Sequence, residues 1–230
     1  MSNKTFQFIW FKILARFYKR KKGSGANLSD YRSYMIGYLK WGRRLTNLKG
    51  VIIGDSNGEE MKNYESMKRF AEPTVNIAIG GTRADQWDEF IYRDEEIRRL
   101  LWGLKIISNV GGNNILQNKF DKLNLALMNL YIQFSEYYPI TIPHIHYKII
   151  ANLTGKPEEL IRSQVEEANE MIKKYCYPGN LIDIADFTGD KGEPYWFVHK
   201  DAVHYTDEFD YKVRIPLINK IVYGVENRGD

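Results

Sequence analysis

The chain holds one cysteine, Cys176, in 230 residues. A lone cysteine excludes an intrachain disulfide and a cysteine-built zinc cluster. It points to a reducing compartment, so a cytoplasmic location is expected. No apolar run approaches the ~18 residues of a membrane-spanning helix. The segment 6–18 is partly apolar, but Lys12 and Arg16 interrupt it where a secretory leader has an unbroken apolar stretch, so no signal peptide is expected. Neither Gly-x-x-x-x-Gly-Lys-Ser/Thr nor Gly-x-Gly-x-x-Gly occurs, which removes the usual phosphate-binding loops of a flavodoxin-like nucleotide binder. A broad basic surface is also missing. The formal charge is +4, yet seven of the 33 Lys and Arg lie in the first 22 residues with no acid among them. The rest of the chain carries 26 basic against 29 acidic residues, so nucleic acid is not an expected partner.

What is present is ordinary globular composition, with 43% apolar and 27% charged residues and a generous 14% aromatic. This length suits one α/β domain, expected over residues 48–230, behind an extension over 1–47. Within the extension, Phe6, Ile9, Trp10, Ile13, Leu14 and Phe17 recur on one helical face, and Lys12, Arg16, Lys19 and Arg20 on another. Residues 6–20 would contact the protein body or a second subunit, or lie peripherally on an anionic membrane surface. A glycine-containing break over 23–27 and a second helix over 29–45 follow. From Gly50 onward, short apolar runs alternate with amphipathic stretches. Strands are predicted at 51–53, 75–79, 104–110, 138–145 and 181–185, and helices at about 60–70, 84–101, 116–136, 157–176 and 207–223. The alternation implies parallel strands, right-handed crossovers and helices on both faces: a flavodoxin-like, three-layer α/β/α architecture with a five-stranded sheet. Ligands of such sheets bind beyond the carboxyl ends of the strands.

Three turns and one loop fall at that edge. Gly54-Asp55-Ser56-Asn57-Gly58 follows the first strand, and its small residues allow a sharp strand-to-helix turn that exposes the Ser56 hydroxyl. The same residues also suit a plain capping turn. Gly80-Gly81-Thr82 follows the second strand and Gly111-Gly112-Asn113-Asn114 the third, where paired glycines permit close backbone approach to a ligand. Near the C-terminus, Asp201-Ala202-Val203-His204 places a carboxylate three residues before an imidazole, close enough to hold Nδ1–H and leave Nε2 to accept a proton. The spacing Gly54-x-Ser56-x-Gly58 also fits the nucleophile elbow of the α/β-hydrolase fold, but that fold places several strands before its serine.

Taken in order, Gly54-Asp55-Ser56, Asn76 through Gly81, Gly111-Gly112-Asn113 and Asp201 through His204 resemble the four signature blocks of the SGNH, or GDSL-type, hydrolases. The resemblance spans about residues 48–223. It implies Ser56 as nucleophile, His204 as general base and Asp201 as the group that orients the imidazole. The oxyanion hole would comprise the backbone N–H groups of Ser56 and Gly81 and the side-chain amide of Asn113. The implied reaction is hydrolysis of carboxylic esters without a cofactor, on acyl or acetyl esters of a carbohydrate or small alcohol. A lipid esterase or thioesterase at a membrane surface is the alternative, and a catalytically inactive binding domain of the same fold is the alternative of a different class. Asn57 departs from the Leu that often follows the family serine, Asn114 from the usual Asp, and Tyr205-Thr206 from the frequent Pro-small pair after the histidine.

Other residues carry weaker expectations. Arg83, Asn114 and Trp196 are candidate substrate contacts, the last within Tyr195-Trp196-Phe197 just before the acid–base loop. His144 and His146 alternate on one strand face, but no third ligand accompanies them in sequence, so no metal is expected.

Overall fold

Five consecutive buried residues, Gly50–Gly54, form the central strand β1 of a computed structural model that describes residues 27–187 and 198–225. Parallel neighbours flank it on both sides: β2 (Thr74–Asn76) and β3 (Lys105–Asn109), with β4 (Tyr137–Pro139) beyond β3. Ile52 stands beside Asn76 on one side and Ile107 on the other, and Gly54 pairs with Asn109, so the strand ends are level where the turns begin. Side chains on a strand alternate between faces. Val51, Ile53, Ile106 and Tyr137 accordingly enter one core cluster, and Ile52, Ile107 and Tyr138 the other.

Helices cover both clusters. On the first face lie α1 (Arg32–Thr46), α4 (Ala84–Arg93), α5 (Glu95–Leu101), α7 (Leu123–Gln133) and α9 (Glu158–Lys174), with the short α2 (Ser56–Glu60), α3 (Tyr64–Met67) and α6 (Gly112–Leu116) falling between them in the chain. The helix α1 comes from the predicted extension, yet Met35, Ile36, Tyr38 and Leu39 join the same core as the strands. The second face is closed by α10 (Asp207–Phe209) and α11 (Ile215–Tyr223), joined by one π-helical turn at Asp210–Arg214. Buried residues are five apart across that turn, from Phe209 to Arg214 and Asp210 to Ile215, and return to spacings of three and four at Ile218 and Val222. The wider turn therefore brings two charged residues inward without displacing the apolar stripe.

The three-layer architecture matches the sequence expectation, but among the described residues the sheet has four strands instead of five. The segment predicted at 181–185 is reduced to a parallel bridge between Ile140 and Ile182. Side chains divert its backbone from the ladder: Thr141 Oγ1 accepts from the Ile184 N–H (2.7 Å) and donates to Asp183 (2.8 Å). The predicted strand at 138–145 is likewise cut short, because Asn169 of α9 takes both the N–H and the carbonyl of Ile142, each at 2.7 Å. The chain continues into α8 (Tyr147–Thr154). The helix predicted over 84–101 breaks at Asp94, which leaves helical geometry and caps the following helix through the Ile97 N–H (3.1 Å). The amphipathic segment 6–20 lies outside the described residues. Among those described, no helix is long and apolar enough to cross a membrane.

Candidate active site

At the end of β1, Gly54 has φ +150°, and a Cβ there would sit 2.3 Å from the Asn109 carbonyl oxygen, so only glycine fits. Asp55 then caps α2 by accepting the Asn57 N–H (3.0 Å). Ser56 is therefore the first residue of that helix, where its N–H has no intrahelical acceptor.

The partner of Ser56 comes from a tight loop near the C-terminus. An antiparallel bridge between His199 and Tyr205 closes it, with hydrogen bonds from Lys200 N to the His204 carbonyl (2.9 Å) and Thr206 N to the Val198 carbonyl (3.0 Å). At its tip, Asp201 Oδ1 accepts the N–H groups of Val203 and His204, both at 2.8 Å, and Oδ2 lies 2.7 Å from His204 Nδ1. Burial pushes the Asp201 carboxyl up, but these backbone N–H groups and the His204 ring outweigh it and hold it below the usual carboxylate range. His204 Nε2 reaches Ser56 Oγ at 3.0 Å. The structure thus brings Ser56, His204 and Asp201 into one hydrogen-bonded line.

Gly81 and Asn113 sit on the neighbouring turns. Gly81 has φ +80°, and its carbonyl accepts from Gln117 Nε2 (2.8 Å). Asn113 opens toward the same small cavity as Ser56 and donates one amide hydrogen to the Thr82 carbonyl (3.0 Å), and a primary amide has a second to give. The other candidates have different surroundings. Arg83 is spent on Asp85 and Gln117, at 2.9–3.0 Å. Asn114 is fully buried, with its amide bonded to Ala84, Asp85 and Lys119. Trp196 lies outside the described residues. His144 bonds Tyr147 Oη through Nδ1 (2.8 Å), and His199 Nε2 lies 2.7 Å from the His144 carbonyl oxygen, a contact that ties the loop at 199–205 to the segment after β4. His146 faces His199 with ring centroids 5.9 Å apart. Among the described residues no three His, Cys, Asp or Glu side chains converge on one metal position. Burial pushes the Cys176 thiol up to about 11, which leaves little thiolate near neutrality.

Two supporting residues were not evident as such in the sequence. Asn57 donates to the Val203 carbonyl and accepts from the Tyr205 N–H, both at 3.1 Å, and so grips the backbone on either side of His204. Beneath it lies Arg214, without exposed surface. Its guanidinium pairs with Asp210 (2.7 Å from Nε), donates to Asn109 Oδ1 (3.0 Å) and the Asn57 carbonyl (2.9 Å), and stacks over Tyr205 at 4.4 Å. A charge set inside the apolar run Val213-Arg214-Ile215 was its one visible signal. Asp55, also buried, accepts from Asn109 Nδ2 (3.2 Å), and loss of hydration pushes its carboxyl up to about 6.

Comparison with known proteins follows the same lines. An acylhydrolase, so described, from Bacteroides fragilis superposes with a TM-score of 0.62 at 17% identity, covering 88% of this chain and 99% of that one. A GDSL-like lipase from Bacteroides thetaiotaomicron gives 0.57 at 14%, covering 83% and 98%. A lipase from a goat rumen metagenome gives 0.53 at 13%, covering 76% and 98%. The chain has the SGNH, or GDSL-type, hydrolase fold. No family model and no curated sequence matches it. Within this SGNH fold, the turns after β1, β2 and β3 and the loop at 199–205 share one sheet edge, and that edge carries every residue of the hydrogen-bonded line.

Proposed function

We propose that this protein is a serine esterase that cleaves carboxylic esters through an acyl-serine intermediate. What carries the reading is the unbroken line from Asp201 through His204 to Ser56, at 2.7 and 3.0 Å. Both lie within the range a general base needs. Ser56 Oγ attacks the ester carbonyl as its proton passes to His204 Nε2. The imidazolium, held by Asp201, returns that proton to the departing alkoxide. Water then enters by the same route in reverse and releases the acid. Charge developing on the carbonyl oxygen is met by the N–H groups of Ser56 and Gly81 and the free amide hydrogen of Asn113. One such donor typically contributes about 10²–10³ in turnover. The steps balance with water as the sole co-reactant, so no cofactor is invoked. The likeness in fold to proteins described as lipases and an acylhydrolase supports the ester as substrate class.

The test is covalent. A fluorophosphonate probe should label the wild-type protein at Ser56, and p-nitrophenyl acetate should give an acylation burst. Ser56→Ala should lose both while keeping its thermal unfolding midpoint. Absence of labelling in the wild type would favour a binding domain, and a burst that survives in Ser56→Ala would place the nucleophile elsewhere.

A further inference from the structure

Two apolar spaces adjoin the Ser56–His204 pair, one lined by Ser56 and the other by His204, and they share Leu116 and Val203 as walls. From their sizes we infer that the ester cleaved here joins a small acyl group to an extended apolar alcohol. The inference rests on the esterase reading and assigns the two halves of the substrate within it. The first space is a cavity of about 30 Å³ bounded by Ser56, Gly112, Asn113, Ile142, Ile145 and Val165. The second is an open groove of about 650 Å³ lined by Leu116, Ile149, Leu153, Ala202, Val203 and His204. Ser56 and Asn113 border the cavity and not the groove, whereas His204 borders the groove and not the cavity.

Reaction chemistry decides which half goes where. The proton taken from Ser56 Oγ rests on His204 Nε2 and must reach the departing alkoxide, so the alcohol lies on the His204 side. The carbonyl oxygen is directed at the donors of Ser56, Gly81 and Asn113. The remaining substituent on the carbonyl carbon is the acyl chain, and the space left for it is the cavity. About 30 Å³ is roughly two water-sized spheres. It therefore takes one or two carbons beyond the carbonyl, an acetyl or propionyl group.

The groove has the opposite character. Ile149 and Leu153 occupy one face of α8 and remain 42% and 73% exposed beside a catalytic base. Together with Leu116 and Ala202 of the same groove, these side chains give an alkyl chain apolar surface to cover. Because His204 is part of the groove's lining, the occupant we assign to it is the alkyl part of the leaving alcohol. In the acylation step the bond from Ser56 Oγ to the acyl carbon forms as the carbon–oxygen bond to that alcohol breaks, with the alcohol leaving along α8 and the acyl group staying in the cavity.

Two ester series read the two sites separately. With acetate fixed and the alcohol lengthened from methyl through butyl to octyl, kcat/KM should rise about two- to fourfold per methylene until the groove is filled. With p-nitrophenol fixed, it should fall at least tenfold from acetate to butyrate. Leu153→Ser, on an exposed position, should lower kcat/KM for octyl acetate several-fold and flatten the alcohol series. Ile142→Ala should raise the butyrate-to-acetate ratio, a gain that misfolding does not imitate. An active enzyme with a flat alcohol series, or one that prefers octanoate, overturns the assignment while leaving the esterase reading intact. A protein inert to every ester, with Ser56 unlabelled by fluorophosphonate, overturns both.

Discussion

Replacing Asn57 by Leu would restore the residue that often follows the serine in the SGNH pattern, and in this protein it should be harmful. The Asn57 side chain holds the Val203 carbonyl and the Tyr205 N–H, each at 3.1 Å, and His204 lies between them. Leucine has nearly the same size but neither bond. Each lost bond costs about 1 kcal/mol, and the half-buried backbone groups left without a partner raise the total to about 2–3 kcal/mol. For a domain of this size that corresponds to a fall of roughly 5–10 °C in the unfolding midpoint. The larger effect falls on catalysis. A base whose loop is no longer gripped shifts relative to Ser56 Oγ, and a displacement of about 1 Å can cost on the order of 10²-fold in rate. We expect kcat on p-nitrophenyl acetate to drop about 10- to 100-fold in Asn57→Leu with KM little changed, measured well below the variant's unfolding midpoint so that only folded enzyme is counted. A kcat within twofold of wild type would refute the positioning argument, whatever happened to stability.

Two other buried groups give predictions of a different kind. Arg214→Met leaves the Asp210 carboxylate without its counter-charge and strips donors from Asn57 and Asn109. Urea unfolding should show a loss of about 3–5 kcal/mol, much of it regained when Asp210→Leu is added; a loss below about 1 kcal/mol would show that the pair is not what holds this edge. Asp55 tests linkage. Its folded carboxyl titrates at about 6, above the unfolded value near 3.9, so the native state binds the proton more tightly. The Asp55 contribution to stability is therefore complete below about pH 4 and is lost as pH rises through 6, by about 3 kcal/mol. Asn at this position keeps an oxygen to accept from Asn57 and Asn109. The stability of wild type relative to Asp55→Asn should fall between pH 4 and pH 7, and a constant difference across that range would contradict the burial argument.

The legible parts of this protein are those whose physics is local. Gly54 must turn where no side chain fits, Asp55 must cap the next helix, and Asp201 lies three residues from the imidazole it faces; each is a relation within a few positions of chain. Alternating apolar runs likewise announced a three-layer parallel fold, because period-two and period-3.6 burial is written residue by residue. What could not be read depends on groups brought together from far apart. Asn57 meets Val203 and Tyr205 across nearly the whole domain, and nothing at position 57 alone distinguishes a clamp from a turn residue. Arg214 appeared only as a charge in an apolar helix until Asp210, Asn109 and Asn57 closed around it. The predicted fifth strand had the right apolar pattern, yet Thr141 and Asp183 captured the backbone groups that would have built its ladder. Residue type along the chain established the fold class and nominated Ser56, Asp201 and His204. Their 3.0 and 2.7 Å contacts, the buried framework beneath them and the unequal spaces on either side arise only when distant side chains compete for the same backbone and the same volume.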